Sequence, residues 1–89
     1  MTGKKMRVHE LKILPEYFQA VWNEEKRCEL RKDDRDYRVG DWLILREFDG
    51  EKYTGSGLLM QITHILRDCP EYGLQDGYCI LSVRRRPIR

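Results

Sequence analysis

Lys26, Glu29 and Arg31 lie within six residues of one another. An ammonium or guanidinium group donates hydrogen bonds to a phosphate or a base carbonyl, and a carboxylate accepts them from an exocyclic amine. Since side chains alternate along a strand, Glu29 and Arg31 would share one face. These residues are therefore a candidate polar binding site, and Lys26 and Glu29 are the candidate catalytic pair of an enzyme. Alternatively, all three form ion pairs on a solvated surface.

Further candidate ligand-binding residues are His9, Lys12 and Arg35. The strand pattern places His9 on the same side as Leu11 and Ile13, so it is either a core histidine or part of the site. Arg35 can also fix the polar turn in which it lies, through an ion pair. His64, in a later apolar run, alternates with core-type residues and is expected to be structural.

Cysteines and histidines give no metal-binding pattern. Cys28, Cys69 and Cys79 are an odd number without close spacing, which disfavours a disulfide framework and a zinc site. We expect reduced cysteines, no metal and no cofactor. No Ser-His-Asp order, Gly-rich phosphate loop or Cys-His signature is visible, so the motifs alone indicate no reaction.

The aromatic residues divide into two groups. Trp22 and Trp42 occur on apolar stripes and are predicted to lie in the core. Three tyrosines in predicted loops could instead stack on unpaired bases or cap the core. These are Tyr37, Tyr53 and Tyr72.

Length and charge limit the class of protein. The 89 residues allow one domain, with an ordered core at about residues 7–84 and a basic tail at 84–89. Basic side chains outnumber acidic ones by only 17 to 15, but they concentrate at residues 26–38 and 84–89, which favours one basic face. No apolar run could span a bilayer and the start resembles no secretory signal, so we expect a cytoplasmic monomer without membrane contact.

The hydrophobic pattern predicts the elements that hold these residues. Alternation over residues 7–13 indicates a strand. Pro15 then suits the first turn of an amphipathic helix over residues 15–24, with an apolar stripe of Leu14, Phe18, Val21 and Trp22. Short strands follow at residues 27–32, 42–48, 58–66 and 78–84. The loop that begins at residues 49–50 is expected to continue to residue 57. The pattern favours a small α+β barrel.

Several residues together resemble the ASCH domain, specifically a short ASCH-like subgroup from bacteria and phages that is catalogued as a domain of unknown function. The resemblance covers residues 8–83. The residues that carry it are His9-Glu10-Leu11-Lys12, Lys26, Glu29-Leu30-Arg31-Lys32, Asp34-Arg35, Val39-Gly40-Asp41, Gly73-Leu74 and Gly77-Tyr78.

This resemblance implies a PUA-like β-barrel of five to six strands with one helix in its N-terminal half. In ASCH domains a lysine after the first helix and a following Glu-x-Arg or Thr-x-Arg element line a cleft on the barrel, and these positions match Lys26, Glu29 and Arg31. Two differences stand out. Glu24 and Glu25 replace the usual small residues, and Glu29 replaces the threonine of relatives that hydrolyse acylated cytidine, whose later acidic residue has no counterpart here.

The sequence thus predicts an RNA- or nucleoside-binding module. One alternative is a small hydrolase of the amidohydrolase or ribonuclease type, acting on modified nucleosides or RNA. Another is a protein-interaction domain that blocks a host factor. Fold alone does not decide between them.

Overall fold

The computed structural model describes residues 6–86 as a five-stranded sheet with one α-helix. None of its helices is both long enough and apolar enough to cross a membrane. The elements are β1 (Val8–Ile13), α1 (Pro15–Trp22), β2 (Cys28–Lys32), β3 (Trp42–Phe48), β4 (Tyr53–Leu66), a short 3₁₀ helix (Pro70–Tyr72) and β5 (Tyr78–Arg85).

The strands lie in the order β1-β3-β4-β5-β2. β1 runs parallel to β3, and every other neighbouring pair is antiparallel. The sheet curls into a half-barrel whose open seam lies between its two edge strands, β1 and β2. Across this seam, Arg31 Nη2 on β2 donates to the Lys12 carbonyl oxygen on β1 at 2.9 Å. The predicted α+β class with one early helix is confirmed, and the barrel is half-closed.

The core fills the concave side of the sheet. Leu43, Leu45 and Leu81 have no exposed surface, and α1 adds Phe18 and Val21 to them. Burying each such side chain contributes about 1.5–3 kcal/mol. The helix therefore packs on the core, and the Lys26 backbone N–H donates to the Ala20 carbonyl oxygen of the helix at 3.1 Å.

The helix begins at Pro15 as expected but ends at Trp22. Glu24 has a φ of 61°, which terminates the helical conformation before the predicted end. The predicted burial of Trp22 is wrong, since 52% of its surface is exposed. Its ring stacks on Phe18 at 6.3 Å and lies 5.0 Å from the Arg85 guanidinium carbon. Trp42 is half-buried.

β4 begins at Tyr53, several residues before the predicted start. The expected loop through residue 57 is short instead, because Asp49 Oδ1 accepts hydrogen bonds from the backbone N–H groups of Glu51 (2.8 Å) and Lys52 (2.9 Å). That Asx-type turn closes the hairpin within four residues. Tyr53 is consequently a strand residue, with the Arg46 guanidinium carbon 3.9 Å from its ring centre.

The structure corrects the prediction for His64 and decides between the two alternatives for Tyr37. His64 is exposed, because the register of β4 shifts between Ile62 and His64 and Ile65 packs against the core instead. A bulge of this kind reverses the alternation of side chains. Tyr37 is only 2% exposed and therefore belongs to the core rather than to a base-stacking loop.

Substituting Gly40 should cost more than substituting Gly57. Gly40 has a φ of +98°, and a Cβ there would lie 3.0 Å from Met6 Sδ. We expect Gly40→Ala to lower the free energy of unfolding by about 1–2 kcal/mol. At Gly57 a Cβ would lie at ordinary contact distance, 3.5 Å from the Leu45 carbonyl oxygen, so Gly57→Ala should stabilise by about 0.5–1 kcal/mol. Urea unfolding of both variants tests this, and equal effects would contradict it.

Candidate functional site

A cleft of about 410 Å³ opens where the end of β1 and the start of α1 approach β2. It lies at the seam of the half-barrel, where no strand joins the two edges. Its lining residues are Lys12, Ile13, Leu14, Tyr17, Lys26, Glu29, Leu30 and Arg31. The structure therefore brings together four of the six predicted ligand-binding residues.

Glu29 is the buried centre of the cleft, with 3% of its surface exposed. Its Oε1 accepts hydrogen bonds from Arg31 Nη2 at 2.9 Å and Nε at 3.2 Å, and its Oε2 contacts the Lys26 ammonium. A buried carboxylate needs such partners, because desolvation without them is costly. The ion pairs considered from sequence are thus present, but inside a cleft rather than on an open face.

The two cations stay partly open to solvent, with side-chain exposures of 27% for Lys26 and 22% for Arg31. Two positive groups and one negative group leave a net positive charge at the base of the cleft. This charge balance suits a ligand that carries a phosphate or a carbonyl oxygen.

The apolar wall of the cleft was not predicted from the sequence. It is formed by Leu14, Tyr17 and Leu30, which are large side chains with considerable exposed area. The spacing of Leu14 and Tyr17 could have indicated this wall, because residues three apart lie on the same face of a helix. An aromatic ring and two leucine side chains beside a charged base give the mixed lining typical of small-molecule sites.

Lys12 lines the cleft, but its ammonium lies over an aromatic ring. Lys12 Nζ is 4.4 Å from the centre of the Phe48 ring and 5.9 Å from that of Tyr53. Such cation–π contacts contribute about 0.5–1 kcal/mol at exposed sites. The Lys12 ammonium is therefore held over the aromatic rings of β3 and β4, although the residue lines the cleft.

His9 and Arg35 lie outside the cleft. His9 is buried, with Nε2 at 2.8 Å from Asp41 Oδ2 and its ring 4.9 Å from that of Tyr37. Arg35 Nη1 donates to the Glu10 carbonyl oxygen on β1 at 2.8 Å. Both residues tie the segment between β2 and β3 to the first strand.

Burial and hydrogen bonding perturb several pKa values outside the cleft. Burial alone would raise the pKa of Asp41, but hydrogen bonds from His9 and from the backbone N–H groups of Arg7 and Arg38 outweigh it and lower the pKa. Burial raises the pKa of Tyr37 and of the Cys79 thiol. Cys79, in the core, thus has the character of a structural thiol rather than a nucleophile.

Within residues 6–86, no cluster of three or more His, Cys, Asp or Glu side chains could hold a metal ion. The cysteines are free thiols, with Cys28 exposed and Cys69 and Cys79 buried.

A half-barrel with one helix and a charged cleft at its seam defines a small α+β domain. The family model described as Domain of unknown function (DUF3850) matches residues 8–83, and the chain belongs to this family. The chain is similar to an "Uncharacterized 12.9 kDa protein in GpA 3'region" of Escherichia phage P2, with 41% identity over 59 residues. That match covers 66% of this chain and 54% of the phage protein, so the chain spans about half the length of this relative.

Proposed function

We propose that this protein binds RNA or a nucleoside in the cleft around Lys26, Glu29 and Arg31, as a PUA-like module of the ASCH type. The observation that carries the proposal is the buried Glu29 carboxylate between two partly exposed cations at the base of the cleft. The half-barrel with one early helix supports the ASCH resemblance.

Unused hydrogen-bond donors support this proposal. A guanidinium has five N–H donors and an ammonium has three. In residues 6–86, Arg31 donates through Nε and Nη2, to Glu29 and Lys12, and Lys26 donates to Glu29 and the Cys28 carbonyl oxygen. Two N–H groups of Arg31 Nη1 and one of Lys26 remain for a phosphate or base oxygen.

The size and walls of the cleft support a nucleoside-sized ligand. A volume of about 410 Å³ lies within the range of small-ligand pockets, about 300–1,000 Å³. The Tyr17 ring offers a face for stacking, and Leu14 and Leu30 offer apolar contact to a base or sugar. Single-stranded RNA is commonly recognised by such stacking combined with hydrogen bonds to the base edge.

Direct contact between Lys26 and Glu29 favours one second candidate, a hydrolase acting on modified nucleosides or RNA. In this pair Lys26 is a donor, so Glu29 would have to accept the proton from an attacking water. Incubation with acylated nucleosides or labelled RNA followed by chromatography tests this candidate. Product formation that disappears in Glu29→Gln would support it, provided that the variant is folded.

Tyr17→Ala is expected to weaken binding of ribonucleoside monophosphates and short single-stranded RNAs by about 1–3 kcal/mol, because one base loses its stacking partner. The matched control is Tyr72→Ala, which removes an 86% exposed tyrosine outside the cleft and should leave affinity unchanged. Fluorescence titration measures both variants. Equal affinity of Tyr17→Ala and the wild type, or no saturable binding by the wild type, would contradict the proposal.

A further inference from the structure

A second groove, of about 370 Å³, lies beside the cleft, between the segment that joins α1 to β2 and the paired strands β4 and β5. Four basic side chains and one acidic side chain line it, over an apolar base of Val21, Met60 and Val83. The charged residues are Lys26, Arg27, Arg84, Arg85 and Glu24. The chain thus concentrates in one groove basic residues that are almost 60 positions apart in sequence.

The arginines of this groove have no carboxylate partner among residues 6–86. Arg27 Nε donates to the Glu24 carbonyl oxygen at 3.1 Å, Arg85 Nη2 donates to the Trp22 carbonyl oxygen, and Arg84 forms no salt bridge. Arg85 Nε is buried and has no hydrogen-bond partner within residues 6–86. By contrast, five other arginines pair with carboxylates. These are Arg7, Arg31, Arg38, Arg46 and Arg67.

Guanidinium groups in one groove repel each other when no carboxylate lies between them, and a buried N–H without a partner is unfavourable. An anion bound in the groove would reduce the repulsion between the guanidinium groups and could accept a hydrogen bond from them. Guanidinium groups bind phosphate oxygens in a bidentate manner, with charge-assisted hydrogen bonds on a planar fork. The chemistry of this groove therefore matches a phosphate or phosphodiester.

Lys26 lines both the cleft and the groove. A ligand that fills the cleft therefore lies next to the groove, with one ammonium between them. We propose that the groove binds the phosphodiester backbone of an RNA strand beside the nucleotide held in the cleft. The ligand is then an oligonucleotide rather than a free nucleoside. This inference rests on the proposed function.

The test compares a ribonucleoside 5′-monophosphate with a single-stranded RNA tetranucleotide on the same proteins. Arg27→Gln combined with Arg84→Gln should weaken tetranucleotide binding about 100-fold, or about tenfold for each charge-assisted hydrogen bond removed. The slope of log affinity against log salt should fall by about 0.7 for each phosphate that the protein no longer neutralises. Binding of the monophosphate in the cleft should not change.

The control for charge is Arg38→Gln combined with Lys52→Gln, which removes two positive charges that line neither cavity. It should keep the wild-type affinity for the tetranucleotide, as measured by fluorescence anisotropy. Thermal melts confirm that both double variants are folded.

The outcomes separate the two proposals. If the Arg27→Gln, Arg84→Gln variant binds the tetranucleotide and the monophosphate like the wild type, the groove does not bind the RNA backbone. The proposal that the cleft binds a nucleotide then stands. If the wild type binds neither probe, both proposals fail. If the wild type binds a DNA tetranucleotide as tightly as the RNA tetranucleotide, the groove still binds a phosphodiester backbone, but its assignment to RNA is wrong.

Discussion

Glu29→Gln is expected to lower the free energy of unfolding by about 3 kcal/mol. The substitution leaves Lys26 and Arg31 in the cleft without their shared counter-charge, and breaking a buried ion pair costs about 3–5 kcal/mol. The lower end of that range applies because both cations are partly exposed. Urea unfolding measures the loss.

Glu10→Gln is the matched control, since Glu10 is an exposed glutamate 3.5 Å from Arg46 and such surface pairs contribute about 0–1 kcal/mol. A triple variant, Lys26→Met with Glu29→Leu and Arg31→Met, should regain most of the stability, because replacing a whole buried ion-pair network by apolar groups is often neutral. It should not regain ligand binding. If Glu29→Gln is no more destabilising than Glu10→Gln, the interpretation of Glu29 as a buried, doubly paired carboxylate is wrong.

Asp41→Ala should also destabilise strongly, by about 3 kcal/mol or more. Asp41 is 2% exposed and accepts hydrogen bonds from the backbone N–H groups of Arg7 (3.3 Å) and Arg38 (3.1 Å), and it pairs with His9. Each polar group left buried without a partner costs about 1–3 kcal/mol. Asp34→Ala, at an exposed position without a positive φ, is the control and should have a much smaller effect.

The same carboxylate gives a pH dependence with a definite sign. Because the pKa of folded Asp41 lies below its ordinary value of 3.8, its stabilising contribution is present above that value and is lost as the pH falls through the lower folded pKa. The free energy of unfolding of the wild type should therefore decrease more steeply below pH 3.8 than that of Asp41→Ala. Parallel profiles for the two proteins would contradict this role for Asp41.

Local patterns predicted those elements whose burial follows a regular period. The bounds of β3, Trp42–Phe48, and the start of α1 at Pro15 agree with the structure. Predictions failed where a long-range contact or an irregularity decides the conformation. Gly57 reads as a loop residue, yet it pairs with Arg46 across the hairpin. A bulge reverses the alternation before His64, and periodicity alone cannot show a bulge.

The charged residues of the candidate site were predictable from the sequence, but the cleft that contains them was not. Lys26, Glu29 and Arg31 are close in sequence, so their proximity needs only a short strand and the turn before it. The cleft itself depends on the seam between β1 and β2, which follows from the order of strands in the sheet. The same order pairs β2 with β5, with Cys28 opposite Ser82, and so joins the two basic clusters of the sequence in one groove. Residues 87–89 of the predicted basic tail lie outside the described residues, whereas Arg84 and Arg85 belong to β5.

β1 is an edge strand, and an edge strand with free carbonyl groups is a template for pairing with a second chain. Here the carbonyl oxygens of Glu10 and Lys12 are already occupied by Arg35 and Arg31. We expect these guanidinium groups to disfavour pairing of this edge with a second chain. Arg31 combines this contact with its proposed role in the cleft, so a substitution of Arg31 should also expose the edge. Substitution of Arg31 should consequently cause both weaker ligand binding and a tendency to self-associate. Substitution of Arg27 or Arg84 should weaken tetranucleotide binding without self-association.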